Sequence, residues 1–256
     1  MRPEADADPH WVSALAGCSL TAAVRRLEEA RAERRLFSHL ARAHGREGRA
    51  SYIEIDAPLE LYALVRELRP AHVVEVGVSS GVSTAYLLEA LRRNRRGVLH
   101  SVDRPTFATS AHRPRASWSL PPGREPGWAI PSGLREGWDL RVGDKAELLP
   151  QLAAELPQID LLLYDVPHDD AGTFGEFLSL DPRLRRGGVA IADHGPGGSL
   201  CGALARWARR TESKPVGRTG LGLYGFAKHR LHSKATRRPH RGAPGSRSSS
   251  REVQRP

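Results

Sequence analysis

Val73-Val74-Glu75-Val76-Gly77-Val78-Ser79-Ser80-Gly81-Val82-Ser83-Thr84 is the stretch on which the fold turns. An apolar run rich in β-branched residues stops at Gly77 and passes through small residues. It then gives way to Thr84, Leu87, Leu88 and Leu91, which share one helical face at i, i+3, i+4, i+7. The reading is strand, tight turn, helix. In an open α/β sheet such a turn stands at the carboxyl end of its strand, where glycine lets a ligand approach the backbone and the helix offers unpaired N–H groups. A ligand is therefore expected against Gly77 to Ser83. The dinucleotide fingerprint G-x-G-x-x-G would place glycine at Ser79, and this turn reads G-x-x-x-G instead. Glu75, two residues before the first glycine, would repel a pyrophosphate and attract an ammonium. The ligand expected is one bearing an amino acid rather than a dinucleotide.

Downstream, four further apolar runs end in acids. Gly97 to Asp103 predicts a second parallel strand, with Asp103 lying 22 residues beyond Gly81. That is close to the ~20-residue interval at which a carboxylate in a doubly wound fold meets a ribose. Leu140 to Asp144 closes a third strand. Asp144 is placed to accept a hydrogen from an adenine amino group or to cap the helix predicted over Lys145 to Leu156, and the two roles are compatible. Ile159 to Asp165 predicts a central strand followed by His168, and Leu184 to Gly195 a turn and strand ending in Asp193-His194. Consecutive parallel strands lie about 5 Å apart, which makes Asp165 and Asp193 expected neighbours and, with His168 and His194, a polar floor for chemistry.

Upstream, Leu20 to His44 predicts one helix with Leu27, Ala30, Phe37 and Ala41 near one face. It is expected to cover the active-site side of the sheet, to pack on a second subunit as a homodimer, or simply to extend the chain. Pro58 to Leu68 predicts a helix with a core stripe at Leu61, Leu64, Val65 and Leu68. Residues 1–17 carry no readable role. Residues 104–138, rich in Pro, Gly, Ser, Arg and Trp, form a long connection leaving the ligand side, expected to be a partly ordered substrate lid with Trp118 and Trp128 as aromatic walls or core anchors. Leu200 to Arg210 predicts a helix, and residues 214–226 two closing strands.

Three parts follow: an extension with its helix over 1–57, a domain over 58–228, and a tail over 229–256. The tail holds eight Lys or Arg against one acid, so most of the formal charge of +10 is there, and its composition cannot order itself. The folded part gives no electrostatic reason to expect nucleic acid. Two cysteines, no signal-peptide pattern and no apolar stretch of membrane-spanning length lead to the expectation of a soluble cytoplasmic protein with no membrane contact.

With those motifs assembled, residues 59 to 226 resemble the class I S-adenosylmethionine-dependent methyltransferases, in particular the bacterial small-molecule O-methyltransferase-like group. The resemblance is carried by Val-Glu-Val-Gly-x-x-x-Gly-x-Ser-Thr at 74–84, Ser-Val-Asp at 101–103, Gly-Asp at 143–144, Asp-Leu-Leu-Leu-Tyr-Asp at 160–165 and Gly-Gly-Val-Ala-Ile-Ala-Asp at 187–193. It implies a Rossmann-like α/β fold, a seven-stranded sheet of order 3-2-1-4-5-7-6 with strand 7 antiparallel and helices on both faces. It also implies that Glu75 and the turn at Gly77, Ser79, Gly81 and Ser83 hold the methionine part of the cofactor. Asp103 would take the ribose, Asp144 the adenine edge, and Asp165 would border the cofactor. The expected reaction is methyl transfer to an oxygen of a small-molecule acceptor, with nucleic-acid-directed methylation or silent cofactor binding as alternatives. Some relatives hold a divalent ion with an acid after strand 4 and an Asp-Asp or Asp-Asn pair after strand 5. Here Asp165, Asp193 and His194 stand at those positions, and the histidine departs from the pattern in a way that Mn²⁺ tolerates better than Mg²⁺. Without metal, His168 or His194 is the candidate base, and His168 is preferred because Asp-x-x-His at 165–168 occurs in the look-alike group.

Overall fold

A computed structural model describes residues 7–46, 58–105, 120–166, 170–192, 202–218 and 224–228. Seven strands form one sheet: β1 (His72–Val76), β2 (Val98–Asp103), β3 (Trp138–Val142), β4 (Ile159–Tyr164), β5 (Leu184–Ala192), β6 (Lys214–Arg218) and β7 (Tyr224–Ala227). Their order is β3-β2-β1-β4-β5-β7-β6, with β7 antiparallel to both neighbours, as expected from the resemblance. The apolar runs around 73–76 and 159–164 are buried because β1 and β4 lie centrally with helices over both faces. Asp160, at the start of β4, ties the far end of the sheet by accepting the N–H groups of Ala71 and His72 at 2.8 and 2.9 Å.

Side-chain alternation along β1 sorts the core. Val73 packs with α4 (Pro58–Leu68) and α5 (Val82–Asn94), while Val74 and Val76 pack with α6 (Lys145–Glu155), α7 (Asp170–Leu180) and α8 (Gly202–Arg210). Three of the four stripe residues on α4 are in the core, with Leu64 and Val65 completely buried and Leu61 nearly so, each worth roughly 1.5–3 kcal/mol of transfer free energy, while Leu68 is half-buried against it.

The amino-terminal region differs from expectation. Residues 9–16, which the sequence left without a role, form α1 (Pro9–Ala16). The Asp8 side chain caps it by accepting from His10 and Trp11, and Gly17 ends it in the left-handed region. Its Trp11, Val12 and Leu15 are buried, and the Trp11 indole donates to the Gly217 carbonyl at 3.3 Å. The helix thus joins the same apolar cluster as the central strands. The single helix expected over 20–44 is two: α2 (Leu20–Arg31) and α3 (Arg34–Arg46). At the break Glu33 and Arg34 donate to Ala30 and Ala32, bonds shorter in sequence than helical ones. The break rephases the pattern, so α3 buries Leu36, Leu40 and His44, while Phe37 and Ala41 are only half-buried. No described helix is long and apolar enough to cross a membrane.

Candidate active site

The β1–α5 turn is built by three close approaches. Gly77 has φ +95°, and a Cβ there would lie 2.0 Å from the Asp165 carbonyl oxygen. At Gly81, φ +90°, a Cβ would strike Ile130 and lie 2.8 Å from Gly127 Cα. Both glycines are therefore required by the chain's own packing, with positive φ in addition. Between them Ser79 has φ +50°, so it takes the left-handed conformation at the position where a dinucleotide fingerprint would carry glycine. Gly81 caps α5 with no side-chain hydrogen bond, leaving the first turn's N–H groups, including that of Ser83, without a side-chain acceptor.

Asp103 holds this turn from the end of β2. One of its oxygens accepts the N–H groups of Val78 at 3.1 Å and Ser79 at 2.8 Å. Burial pushes its carboxyl up from the ordinary range, and the N–H donors of Ser79, Val78 and Arg104 oppose that shift by favouring the anion. Three donors leave one of about four carboxylate lone-pair sites open to a ligand hydroxyl.

Glu75 stands at the inner side of the turn. It is completely buried, accepts from Thr84 Oγ1 at 2.9 Å and from Ser101 Oγ at 2.7 Å, and is directed between β1 and α5. Ser101 in turn accepts the Trp138 indole N–H at 2.9 Å, which gives a buried chain through β3, β2, β1 and α5. Burial pushes the Glu75 carboxyl up to about 8, with Ser101 and Thr84 acting in the opposite sense. Ser101 and Thr84 were not singled out by sequence reasoning. The strand register, which pairs Glu75 with Ser101, is the signal that finds the first of them.

Asp144 caps α6 through Ala146 N at 2.9 Å and pairs with Arg104 at 2.9 Å. Asp165 is exposed at the end of β4, and its N–H donates to the Val76 carbonyl at 2.8 Å. The register pairs Tyr164 with Ala192, the residues preceding Asp165 and Asp193. Asp193, His194, His168 and Trp118 themselves lie outside the described residues. The structure therefore brings Gly77, Ser79, Gly81, Ser83 and Asp103 together at one set of strand ends, with Asp144 and Asp165 at the adjoining ones.

The second half of the 104–138 connection is docked on the turn. Gly127 and Ala129 donate to the Ser79 and Ser80 carbonyls at 2.8 and 3.0 Å, and Ala129 and Ile130 are core residues. Trp128 is half-buried and rests against His44 with ring centroids 5.0 Å apart. This stretch lines the turn as a docked wall, and residues 106–119 lie outside the described part.

Residues 74–194 match a family model described as a methyltransferase domain. No curated protein sequence matches the chain. Similar solved structures include a methyltransferase from Geobacter sulfurreducens (18% identity, 68% of this chain and 78% of that one, TM-score 0.47). Two more are the O-methyltransferase TomG from Streptomyces achromogenes, involved in tomaymycin synthesis and in complex with S-adenosylmethionine (19%, 75% and 87%, 0.47), and an O-methyltransferase from Bacillus cereus in complex with the demethylated product (17%, 65% and 76%, 0.44). These are distant likenesses and carry no activity to this chain. The strand order, the glycine turn at the end of β1 and the matched segment agree: over residues 74–194 the chain is similar to the methyltransferase-domain family, and its seven-stranded sheet is Rossmann-like.

Proposed function

We propose that residues 58–228, together with the packed helices α1–α3, bind S-adenosylmethionine and transfer its methyl group to an oxygen of a small-molecule acceptor. The observation that carries the reading is the clustering of Asp103, the turn at 77–81 and the uncapped start of α5. That donor set fits the cofactor: a carboxylate with spare acceptor capacity suits ribose hydroxyls, and open helix N–H groups suit an amino acid's carboxylate. When bound, the cofactor supplies an electrophilic methyl on a sulfonium.

The chain's residues do the positioning. Asp103 orients the ribose from β2, and Glu75 acts through Thr84 and Ser101 to hold β1, β2 and α5 in register beneath the turn. Asp144 faces the adenine edge, where an amino hydrogen would compete with the exposed Arg104 for its second oxygen. The acceptor lies over the ends of β4 and β5, with Asp165 at its border and His168 as the base that takes the hydroxyl proton; His194 is the alternate. Asp165, Asp193 and His194 are the ligands proposed for a divalent ion, because Asp165 follows Tyr164 and Asp193 follows Ala192 in sequence and the register pairs Tyr164 with Ala192. In-line placement of donor and acceptor is the dominant requirement of such a transfer, so a shaped pocket matters more than the strength of the base. Release of demethylated cofactor across a library of hydroxylated metabolites tests the reading. Turnover confined to carbon or nitrogen acceptors, or to nucleic acid, would contradict it.

A further inference from the structure

A cleft of about 420 Å³ opens between α3 and the docked loop, lined by His39, Arg42 and Arg46 from the helix and Arg124, Trp128 and Ile130 from the loop. Three guanidinium groups face one cavity with no acid among these residues. Among the described residues neither Arg42 nor Arg46 has a carboxylate partner, and both are exposed. On the preceding helix, α2, Arg26 by contrast pairs with Glu29 and Glu67. Converging like charges in a concave, partly desolvated site raise the local positive potential and focus it on whatever enters.

The aromatic wall is held in advance. His44, 2% exposed, is fixed through its Nδ1 to the Leu40 carbonyl at 2.9 Å and lies against Trp128. Arg124 lies over the indole at 5.4 Å. The Trp128 indole nitrogen is shielded from water and meets no acceptor among the described residues, so a ligand oxygen would supply the bond it lacks. Ile130 joins this cleft to the cofactor turn, because the same side chain lines the cavity and packs against Gly81.

We propose that this cleft anchors the acceptor, and that the acceptor is an anionic, ring-bearing small molecule whose carboxylate or phosphate pairs with Arg42 and Arg46 while its ring lies along Trp128. The inference rests on the methyltransferase reading for the word acceptor; anion binding in the cleft does not depend on it. Guanidinium forks match planar carboxylate and phosphate oxygens bidentately, which a neutral alcohol cannot reproduce.

The test is calorimetry on the full chain with benzoate, phenyl phosphate and benzyl alcohol, repeated on the Arg42→Gln/Arg46→Gln double variant, with S-adenosylhomocysteine titrated into every sample. Both substituted positions are exposed, so folding is expected to persist, and unchanged cofactor heat would confirm it. At least one anionic probe should bind the parent, ten-fold or more weaker to the variant, with benzyl alcohol silent; the stronger of the two anions names the group. In the product-release assay the double variant should raise KM for the acceptor at least ten-fold while kcat stays within about two-fold. Equal anion binding by parent and variant, no anion binding, or turnover of neutral acceptors unaffected by the substitutions would each overturn the proposal. A short single-stranded RNA that displaces benzoate from the parent would overturn the small-molecule class. Loss of cofactor heat in the parent with anion binding intact would overturn the methyltransferase reading and the acceptor assignment, leaving an anion site alone.

Discussion

Asp103 and Ser79 are joined by a 2.8 Å hydrogen bond from the Ser79 N–H to the carboxylate, which ties the end of β2 to the turn after β1. The same oxygen takes the Val78 N–H, so one side chain sets the shape of the ligand-facing backbone. Hydrogen bonds to a charged acceptor contribute about 1.5–3 kcal/mol each. Asp103→Ala is expected to lower stability by roughly that much and to abolish cofactor binding. Asp103→Asn, which keeps one acceptor oxygen, should fold nearly as well and bind at least ten-fold more weakly. Thermal melts and calorimetry on the two variants check this.

The left-handed Ser79 makes a second expectation. A non-glycine residue there costs about 1–2 kcal/mol, and a β-branched one more. Ser79→Gly should melt at or slightly above the parent temperature, and Ser79→Val several degrees below it. Ser79→Gly should still show no affinity for NAD, because Val82 stands where the fingerprint's third glycine would be.

Gly77→Ala should be far worse than either, since its Cβ would overlap the Asp165 carbonyl at 2.0 Å and that atom belongs to backbone. A loss of about 3 kcal/mol or more is expected, visible as a large fall in the denaturation midpoint.

Glu75 makes stability depend on pH. Its folded value, about 8, lies above the ordinary 4.5, so between those values the folded chain holds the proton that the unfolded chain has lost. Its contribution is therefore full below about pH 4.5 and falls as pH rises toward about 8. Glu60, buried and pushed up to about 7, adds slope of the same sign. Denaturation midpoints from pH 5 to pH 8 should decline less steeply in Glu75→Gln than in the parent, and a parallel decline would show that Glu75 is ionised throughout.

Asp165→Ala and His168→Ala are expected to lower turnover with cofactor affinity within several-fold of the parent. Chelation that removes activity, restored by Mg²⁺ or Mn²⁺, would assign Asp165, Asp193 and His194 to a metal. Activity untouched by chelator would favour the histidine base.

Much of this was legible in the chain because β1 is an apolar run that stops at Gly77 and the next strands are largely apolar runs that stop at an acid, as at Val98–Asp103 and Ile159–Asp165. The part that stayed hidden has physical causes. The α2–α3 break falls at Ala32-Glu33, where neither glycine nor proline marks it, and a continuous 3.6-residue count then picks Phe37 and Ala41 in place of Leu36 and Leu40. At α1 the signals were present, in Asp8-Pro9 and Gly17, on a segment too short to show a period. Glu75 shares the parity of Val73, so its inward direction was implicit, while its partners Ser101 and Thr84 depend on register and on where α5 begins. Long-range docking of Ala129 and Ile130 on Ser80 and Gly81 leaves no periodic trace in the chain.

Calorimetry of the full chain and its Asp103→Ala variant with S-adenosylhomocysteine and with NAD tests the site most directly. Binding of the sulfur compound by the parent, lost in the variant, with no heat from NAD in either, is the expected result. Heat from NAD and none from S-adenosylhomocysteine would contradict it and make the turn at 77–81 a dinucleotide site.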